Sequence, residues 1–396
     1  MTELSHATHL RVVIVNFNGG ELLERAVSSV LDATWSGTLD VVIIDNNSTD
    51  GSLSAIENFD QITTVELATN EGFSAANIGF GQLPGLTDPD LYFLLNPDAL
   101  VQPMTLQALA EGLVESRVGV AAPLILFDHE FVECRHAKDT LLVEVHVDGR
   151  DVSSRCLASH GVDRLPGSAG SLWHFGRDGT LQIPVLPDSQ YIQFTEQSGK
   201  DRSKVEVAIS SLAPATQRIQ NAGSALDHRW FGTNVAYGMP TTSTAQPGEA
   251  ELWCGAAAMI KPQFLLDTGG FDDRYFLYYE DTDLSLNGAR LGWTYVFVPT
   301  AVVLHRHSDK TEQGTRLVEV LQHRNRLLMI ARYASRATLA RSVLRSFATP
   351  VSMSLRSRQA RGEVREALLR LAKWRLAASV EALKMLPSAF RSRQHL

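Results

Sequence analysis

Short apolar runs alternate with amphipathic segments over the first 127 residues of the chain. Four of these runs, at residues 12–15, 41–44, 64–67 and 92–95, have the length and composition of buried strands. Between the first two, apolar residues recur at helical spacing from Leu23 to Leu31, and further helices are predicted at residues 52–59, 74–82 and 105–114. Strand–helix alternation of this kind predicts a parallel α/β sheet.

A cluster of polar residues follows each of the four predicted strands. The clusters are Asn-Phe-Asn at 16–18, Asp-Asn-Asn at 45–47, Asn-Glu-Gly at 70–72 and Asn-Pro-Asp at 96–98. Each alone is also typical of a turn. Because ligands of parallel α/β sheets bind beyond the carboxyl ends of the strands, four clusters in register favour one shared ligand site.

Two of these clusters suggest a nucleotide. DNNSTDGS, residues 45–52, suits a turn with a helix N-cap, or a nucleoside pocket in which Asp45 accepts from a base or ribose and the Asn side chains contact carbonyl and amide edges. NEGFSAANIGFG, residues 70–81, places Asn70 and Gly72 at a strand end and Asn77 on the next helix, although a glycine-permitted loop with a capped helix explains it too. The chain has neither a GxGxxG fingerprint in this position nor a P-loop, which disfavours hydride transfer and P-loop chemistry.

The rest of the chain changes character twice. Polar, Gly- and Pro-rich turns separate short alternating segments from 128 to 250, which predicts a β-rich insertion with strands near 140–147, 182–186, 191–194 and 204–209. Two strands are predicted at 293–298 and 301–304. Beyond residue 316 the pattern is helical to the end, with interruptions predicted near Pro350 and Pro387.

Three carboxylates fall within four positions of the segment YYEDTDLSLNGARLGW, residues 278–293. An acidic first helical turn that complements the helix dipole is one explanation, and it suits Asp283 best as a solvated or capping charge. Glu280 and Asp281 instead follow the aromatic run FLYY, and apolar surroundings raise a carboxylate pKa and improve it as a general base. His305 directly follows another apolar run and is either a structural hydrogen-bonding histidine or a ligand.

These segments together resemble family 2 of the glycosyltransferases, in the rhamnosyltransferase-like branch. This is the inverting, nucleotide-sugar-dependent family with the GT-A fold. The resemblance covers residues 11–127 and 251–325. The matching segments are VVIVNFNGG, VVIIDNNSTDGS, NEGFSAANIGFG, LLNPDA, CGAAAMIK, GGFDDRYFLYYEDTDLSLNGARLGW and VVLHRHS, and QNAGSAL at 220–226 also resembles segments of actinobacterial relatives.

The resemblance implies an α/β fold, a GT-A mixed, mainly parallel sheet flanked by helices, with a β-rich insertion and a helical C-terminal tail. It divides the chain into a nucleotide-sugar-binding half at 1–127, an insertion at 128–250, an acceptor and catalytic half at 251–325 and a basic helical region at 326–396. The contacts it implies for the nucleotide-sugar, linked to UDP or dTDP and with dTDP-rhamnose as one candidate, come from Asn16, Asn18, Asp45, Asn70, Gly72, Asn77 and Asn96.

The resemblance also implies the catalytic roles. Asp281 would be the general base, with Glu280 and Trp253 contacting the acceptor, a glycan or a lipid-linked sugar. Asp98 would be the remaining carboxylate of the family's Asp-x-Asp metal motif, in which Asn96 replaces the first Asp, and His305 would be a second metal ligand. Oxygen and imidazole ligands suit Mg²⁺ or Mn²⁺, which offsets the charge of a leaving diphosphate. Asn287 stands where relatives often carry a basic residue.

Charge and composition limit the partners and the compartment. Residues 331–396 hold 14 Lys and Arg against 3 Glu, which gives this region a net charge of +11. Because the whole chain has a net charge of −8, residues 1–330 have a net charge of −19. We therefore expect no nucleic acid partner, and the basic tail is either a solvated helix packed on the catalytic domain or a peripheral contact with an anionic membrane. Three cysteines without CxxC spacing, no apolar run near 18 residues and no signal-like N-terminus favour a cytoplasmic protein without a zinc site, with any membrane contact on the inner face of the plasma membrane.

Two other functions remain open from the residues alone. A sugar-nucleotidyltransferase also has a nucleotide-binding α/β core, but it should carry a GxGxRxxP-type loop after the first strand, where this chain has VNFNGGELL. A non-catalytic glycan-binding or scaffold protein is the alternative from another class. The presence of Asp98, Asp281 and His305 disfavours it.

Overall fold

The computed structural model describes residues 9–59, 61–136, 140–166, 171–175, 178–198, 201–243, 246–306 and 315–394. Its strands, in chain order, are β1 (His9–Asn16), β2 (Thr38–Asp45), β3 (Ile62–Glu66), β4 (Leu91–Leu95), β5 (Ala99–Val101), β6 (Val118–His136), β7 (Thr140–Val147), β8 (Arg150–Asp151), β9 (Leu157–Ala158), β10 (Val162–Pro166), β11 (Ser171–Phe175), β12 (Gly179–Val185), β13 (Tyr191–Ser198), β14 (Asp201–Ala208), β15 (Thr216–Asn221), β16 (Ser224–Leu226), β17 (Gly232–Asn234), β18 (Gly248–Ala250), β19 (Ala257–Ile260) and β20 (Thr294–His305). Its α-helices are α1 (Glu21–Leu31), α2 (Ala76–Gly79), α3 (Thr105–Gly112), α4 (Pro262–Thr268), α5 (Glu280–Arg290), α6 (Arg316–Tyr333), α7 (Arg336–Arg356) and α8 (Gly362–Gln394).

The chain divides into two compact units, each made of two stretches of sequence. The first unit comprises Met1–Asp128 and Ile219–Arg306, and the second comprises His129–Arg218 and His307–Leu396. The first unit therefore takes in residues 219–250, which the sequence had assigned to the insertion.

The first unit is built on a mixed, mainly parallel sheet in the order β18-β20-β6-β19-β4-β1-β2-β3. Strands β4, β1, β2 and β3 run parallel to one another, and β20 runs parallel to β6. The reversed strand β19 joins the two parallel groups, because it pairs antiparallel with both β4 and β6. The predicted α/β fold with a mixed, mainly parallel sheet is confirmed.

Burial on both faces of the sheet explains why the sequences of its central strands are continuously apolar. Val12, Val13 and Ile14 of β1 are all fully buried, as expected for a central strand covered on both faces. The apolar face of α1, which includes Leu23 and Val27, packs into the core on one face of the sheet. A second core, which includes Val13 and Trp253, fills the other face.

The strand directions bring the predicted polar clusters to one edge of this sheet. Because β19 is antiparallel to both β4 and β6, strands β4, β6 and β20 point the same way as β1 and β2. Asn16, Asp45 and His305 end their strands at this carboxyl edge, and Asn96 directly follows β4. The edge is where ligands of α/β sheets bind.

Three predicted elements of the first unit differ from the structure. Residues 51–58 form turns rather than a helix, because Gly51 has φ +77° and the bonds that follow join residues three apart. The predicted helix at 74–82 is reduced to a 3₁₀ turn, Phe73–Ala75, followed by the four-residue α2. The predicted strands at 293–298 and 301–304 form the single strand β20, whose pairing with β6 shifts register between Val298 and Val302.

The second unit contains an antiparallel sheet in the order β10-β11-β7-β13-β14, with β8 beside β7. The strands predicted at 140–147, 182–186, 191–194 and 204–209 correspond to β7, β12, β13 and β14. Its apolar core includes Trp173, Phe175 and Phe194, all fully buried.

Three helices, α6, α7 and α8, complete the second unit. Helix α8 packs against both α6 and α7, and Arg375 Nε donates to Glu319 Oε2 at 3.1 Å. The predicted breaks at Pro350 and Pro387 are wrong, because both prolines lie inside helices. Packing along the length of α7 and α8 offsets a cost of about 3 kcal/mol or more for each internal proline.

Candidate active site

Asn16 and Asp45 end neighbouring strands and lie opposite one another in register. Asn16 Nδ2 donates to Asp45 Oδ1 at 2.7 Å and to Ser52 Oγ at 2.9 Å. Asp45 also accepts from the backbone N–H of Ser48 at 2.8 Å and from its hydroxyl at 2.6 Å. Both side chains are buried. They fix the loops after β1 and β2, and direct contact with a nucleotide stays a prediction.

Asn18 joins the same two loops from a more exposed position. Its backbone has φ +54°, its side-chain oxygen accepts from the N–H of Thr49 at 2.8 Å, and its own N–H donates to Ser48 Oγ at 2.8 Å. Asn18 is partly exposed and its neighbour Phe17 is exposed. This loop therefore presents an amide and an aromatic ring to solvent at the carboxyl edge.

Asn46 lies in the segment whose asparagines were expected to contact the carbonyl and amide edges of a nucleoside, and its structural role was not predicted. Its Nδ2 donates to the carbonyl oxygen of Gly72 at 2.9 Å, and its Oδ1 accepts from the N–H of Glu71 at 3.0 Å. Asn70 Oδ1 accepts from the N–H of Gly72 at 2.9 Å. The buried amide thus ties the loop after β2 to the loop after β3. Its place directly after Asp45 at a strand end was the only signal in the sequence.

Gly72 and Asn77 attach this region to the segment that leads into α5. Gly72 has φ +73°, and an added Cβ would lie 2.2 Å from the carbonyl oxygen of Phe276. Asn77 donates to the carbonyl oxygen of Phe271 at 2.8 Å and accepts from its N–H at 2.9 Å. Asn77 therefore holds two parts of the chain together, and its predicted nucleotide contact stays a prediction.

Asp98, Asn96 and His305 meet at a second corner of the edge. His305 pairs with Ala99 across β20 and β5, which puts its ring beside Asp98. His305 Nε2 lies 3.0 Å from Asp98 Oδ1 and 3.3 Å from Asn96 Nδ2, and its Nδ1 lies 2.6 Å from Gln220 Oε1. Residues far apart in the sequence are therefore assembled into one cluster, as predicted for Asp98 and His305.

The Asp98–His305 pair fits a divalent cation by its chemistry. A carboxylate oxygen and an imidazole nitrogen face one another at 3.0 Å; the carboxylate suits Mg²⁺ or Mn²⁺, and imidazole is a common ligand of transition-metal ions. Within the described ranges, no group of three or more His, Cys, Asp or Glu side chains could hold a metal ion. A cation at this pair would therefore complete its shell with diphosphate and water oxygens, as Mg²⁺ commonly does.

The aromatic run before α5 has an unusual backbone. Phe276, Tyr278 and Tyr279 have φ of 62°, 68° and 72°. Left-handed backbone costs a residue with a side chain about 1–2 kcal/mol, and such strain concentrates at functional sites. Tyr279 is the N-cap of α5, and its hydroxyl accepts from the N–H of Gly232 at 3.2 Å. The strained segment delivers Glu280 directly to the first turn of the helix.

Asp281 is held by backbone donors in the first turn of α5. Its Oδ2 accepts from the N–H of Gly255 at 2.9 Å, and its Oδ1 accepts from the N–H of Thr282 at 2.6 Å. Burial raises the pKa of Asp281, and the hydrogen bonds from Gly255 and Thr282 offset part of that rise. The side chain is still partly exposed. A fixed, reachable carboxylate with a raised pKa has the properties of a general base.

Glu280 has a different environment from its neighbour. It is 6% exposed, and its Oε2 has no hydrogen-bond partner among the described residues. Burial first, and then the Asp281 charge, raise the pKa of Glu280 well above its usual range. The pair therefore favours one protonated and one ionised carboxyl group. Adjacent acids whose environments separate their pKa values are a recurring arrangement for acid–base chemistry.

Residues 253–256 connect Asp281 to the corner formed by Asp98, Asn96 and His305. Gly255 donates to Asp281, and the carbonyl oxygen of Ala256 accepts from the N–H of Asn96 at 2.9 Å. Trp253 is fully buried, and its indole N–H has no partner among the described residues. A bound acceptor would reach Trp253 only after its neighbours move, so its predicted contact stays a prediction.

Two further residues of α5 have structural roles. Asp283 is buried and accepts from the Tyr275 hydroxyl at 2.6 Å, so of the two alternatives given for it, a solvated or a capping charge, the solvated one is wrong. Asn287, where relatives often carry a basic residue, is buried and donates to the carbonyl oxygen of Thr268 at 3.0 Å. Both fix α5 against the preceding segment.

Comparison with known proteins shows which family the chain resembles. The model of Glycosyl transferase family 2 matches residues 11–167. The chain contains a family 2 glycosyltransferase domain. The N-acetylglucosaminyl-diphospho-decaprenol L-rhamnosyltransferase of Mycobacterium tuberculosis is 24% identical over 332 residues, which cover 81% of this chain and 84% of that protein. An uncharacterized glycosyltransferase, alr2836, of Nostoc sp. is 32% identical over 125 residues, 30% of this chain and 37% of that protein.

A solved structure places the glycosyltransferase in a fold class. GalNAc-T7, solved with UDP, GalNAc and Mn²⁺, is 16% identical and has a TM-score of 0.52 over 97% of this chain. The present chain spans 56% of the length of that chain. The likeness shows the GT-A glycosyltransferase fold, as predicted. None of the described helices is long and apolar enough to cross a membrane.

Proposed function

We propose that this glycosyltransferase is an inverting enzyme that moves a sugar from a UDP- or dTDP-linked donor to a hydroxyl of a glycan or lipid-linked acceptor in cell-surface polysaccharide synthesis. The mycobacterial relative is named for rhamnosyl transfer to a diphospho-decaprenol-linked N-acetylglucosamine. That name supports a lipid-linked acceptor and makes dTDP-rhamnose the first donor to test.

The position of Asp281 is the observation that carries this proposal. Its carboxylate is fixed by the N–H of Gly255, and the next residue, Ala256, is bonded to the N–H of Asn96. The candidate base is therefore joined through two consecutive residues to the Asp98–His305 corner. A base close to the diphosphate corner is what transfer by single displacement needs.

In the proposed step, Asp281 accepts the proton of the acceptor hydroxyl. The acceptor oxygen forms a bond to the anomeric carbon while that carbon's bond to the diphosphate oxygen breaks. The nucleoside diphosphate leaves with the bonding electron pair, and the configuration at the anomeric carbon inverts. General-base assistance of this kind contributes about 10²–10⁴-fold. Neutral Glu280 would donate a hydrogen bond to the acceptor.

Asp98 and His305 would hold Mg²⁺ or Mn²⁺, whose charge would stabilise the negative charge that develops on the leaving diphosphate by several kcal/mol. Asn96 would contact the diphosphate or ribose from the same corner. Asn18 and Asn70 are also partly exposed, and we propose them as direct contacts to the donor. The buried Asn16 and Asp45 would act by shaping the loops.

Donor binding and turnover test this proposal together. We expect UDP or dTDP to raise the melting temperature of the protein in the presence of Mn²⁺, and one nucleotide-sugar to be consumed when a polyprenyl-diphosphate-linked acceptor is added. No stabilisation and no turnover across a broad panel of nucleotides and nucleotide-sugars would favour a non-catalytic glycan-binding protein instead.

We also propose that the basic tail binds an anionic membrane through one face of α7 and α8. Leu344 on α7 is 71% exposed, and Leu383 on α8 is also exposed. The two helices line an open apolar groove of about 710 Å³ with Leu339, Val343, Leu344, Leu386 and Phe390 among its walls. Exposed cations flank it in the sequence, including Arg341, Arg345 and Lys384.

Apolar surface beside clustered Arg and Lys is complementary to a bilayer of anionic lipids, where each cation adds about 1 kcal/mol. We expect the full chain to float with phosphatidylglycerol vesicles and not with phosphatidylcholine vesicles. Leu344→Glu with Leu383→Glu should abolish flotation, while Leu266→Glu, at a 75% exposed leucine of the first unit, should not. If the double variant floats as wild type does, this face of α7 and α8 does not bind the membrane. If wild type is a dimer and the double variant is a monomer, the face instead binds a second copy of the chain.

A further inference from the structure

A buried glutamine completes the Asp98–His305 corner. Gln220 lies in β15 and is 3% exposed. Its Oε1 is 2.6 Å from His305 Nδ1, the shortest of the polar contacts to the ring in this cluster. No role was predicted for Gln220, although it opens the segment QNAGSAL. Its position within the first unit calls for a physical explanation.

The glutamine determines which nitrogen of His305 carries the proton. An amide oxygen only accepts, so a contact to Gln220 Oε1 makes His305 Nδ1 the donor. In a neutral imidazole, a proton on Nδ1 leaves Nε2 with a lone pair. That lone pair faces Asn96 Nδ2, a donor at 3.3 Å, and Asp98 Oδ1, an acceptor at 3.0 Å.

Two acceptor atoms 3.0 Å apart repel one another unless a proton or a cation lies between them. If His305 carried its proton on Nε2, it would donate to Asp98 Oδ1 in an ordinary hydrogen bond, and Nε2 would have no lone pair with which to bind a cation. The contact from Gln220 disfavours that tautomer. In the neutral ring it therefore keeps both Asp98 Oδ1 and His305 Nε2 available as ligands.

We infer that Gln220 is a positioning residue that holds His305 in its Nδ1–H form and so directs Nε2, together with Asp98, at a divalent cation. Histidines that bind metals nearly always donate their other N–H to a carboxylate or carbonyl oxygen, which fixes the ring and raises its basicity. This inference rests on the proposed function, in which the corner binds Mg²⁺ or Mn²⁺ with the diphosphate.

The amide of Gln220 allows a sharp test by substitution. Gln220 Nε2 is buried and has no partner among the described residues, so Oε1 makes the contact by which the amide is held. Gln220→Glu offers only acceptors to His305 and should preserve the Nδ1–H form. Gln220→Met has a similar shape and no acceptor, and Gln220→Asn is one methylene too short to reach the ring.

The measurement is Mn²⁺ binding to the full chain in the presence of UDP, followed by electron paramagnetic resonance. We expect Gln220→Met and Gln220→Asn to weaken Mn²⁺ binding about 10–100-fold. Gln220→Glu should bind Mn²⁺ as tightly as wild type does. Asn221→Ala is the matched control, because Asn221 is buried beside Gln220 and bonds to Ser224 Oγ at 2.9 Å rather than to His305. It should leave Mn²⁺ binding unchanged.

The outcomes separate this inference from the proposed function. Equal Mn²⁺ affinity in wild type and Gln220→Met would overturn the role of Gln220 and leave the metal corner standing. Absence of Mn²⁺ binding in wild type with either UDP or dTDP would overturn the corner itself and the inference with it. Melting curves without Mn²⁺ check that each variant is folded. Long-range ¹H–¹⁵N spectra of the histidine rings should show His305 as Nδ1–H in wild type and Gln220→Glu, and a wild-type ring protonated on Nε2 would also contradict the inference.

Discussion

Replacement of Glu280 by Gln should make the protein more stable at neutral and alkaline pH. Burial and the charge of Asp281 raise the pKa of Glu280 well above its usual range, so the folded state keeps a proton that the unfolded chain releases near pH 4.3. Wild type should therefore lose stability as the pH rises from the unfolded pKa to the folded one. The slope for a single proton is about 1.4 kcal/mol per pH unit. Gln has the shape of the protonated acid and lacks this slope.

Chemical denaturation from pH 5 to pH 8 measures the effect. The unfolding free energy of Glu280→Gln should exceed that of wild type by an amount that grows with pH in this range. Glu57→Gln makes the same charge change at an exposed position and should run parallel to wild type. Parallel curves for Glu280→Gln and wild type would refute the idea that the fold holds this carboxyl group neutral.

Two further predictions concern the frame around the site. Tyr275→Phe removes the donor to the buried Asp283 and should lower the unfolding free energy by about 1.5–3 kcal/mol in urea denaturation; no loss would contradict a structural role for this bond. Gly72→Ala places a Cβ 2.2 Å from the carbonyl oxygen of Phe276 and should reduce both thermal stability and stabilisation by UDP with Mn²⁺. Gly85→Ala, also at positive φ but with nothing within 4 Å of the added atom, should cost only the conformational strain of about 1–2 kcal/mol, so equal losses would refute the clash.

The sequence predicted the parallel core and its carboxyl edge because both depend on short-range patterns. Apolar runs of strand length and polar residues after each run located β1, β2, β3 and β4 within a few residues. The pairing of Asp98 with His305 followed from the resemblance to a family. Nothing in the spacing of two residues 207 positions apart would otherwise join them.

Features that depend on tertiary packing were not predicted from the sequence. Asn46 and Gln220 are buried amides whose partners lie on distant segments, and a single amide in a polar stretch is indistinguishable from a surface residue. The two helix-internal prolines were predicted as breaks because their local cost is large, and the packing that offsets it is not visible locally. The burial of Asp283 depends on Tyr275, which the strained aromatic segment brings into reach.

The central claim is that Asp281 is the general base of sugar transfer. The most direct measurement compares the transfer rate and the nucleotide affinity of wild type and Asp281→Asn, with Asp273→Asn as an exposed control of equal charge change. We expect Asp281→Asn to bind UDP or dTDP with Mn²⁺ as wild type does and to lose about 10²–10⁴-fold in the rate of transfer. Transfer by Asp281→Asn at the wild-type rate would contradict the assignment of the base.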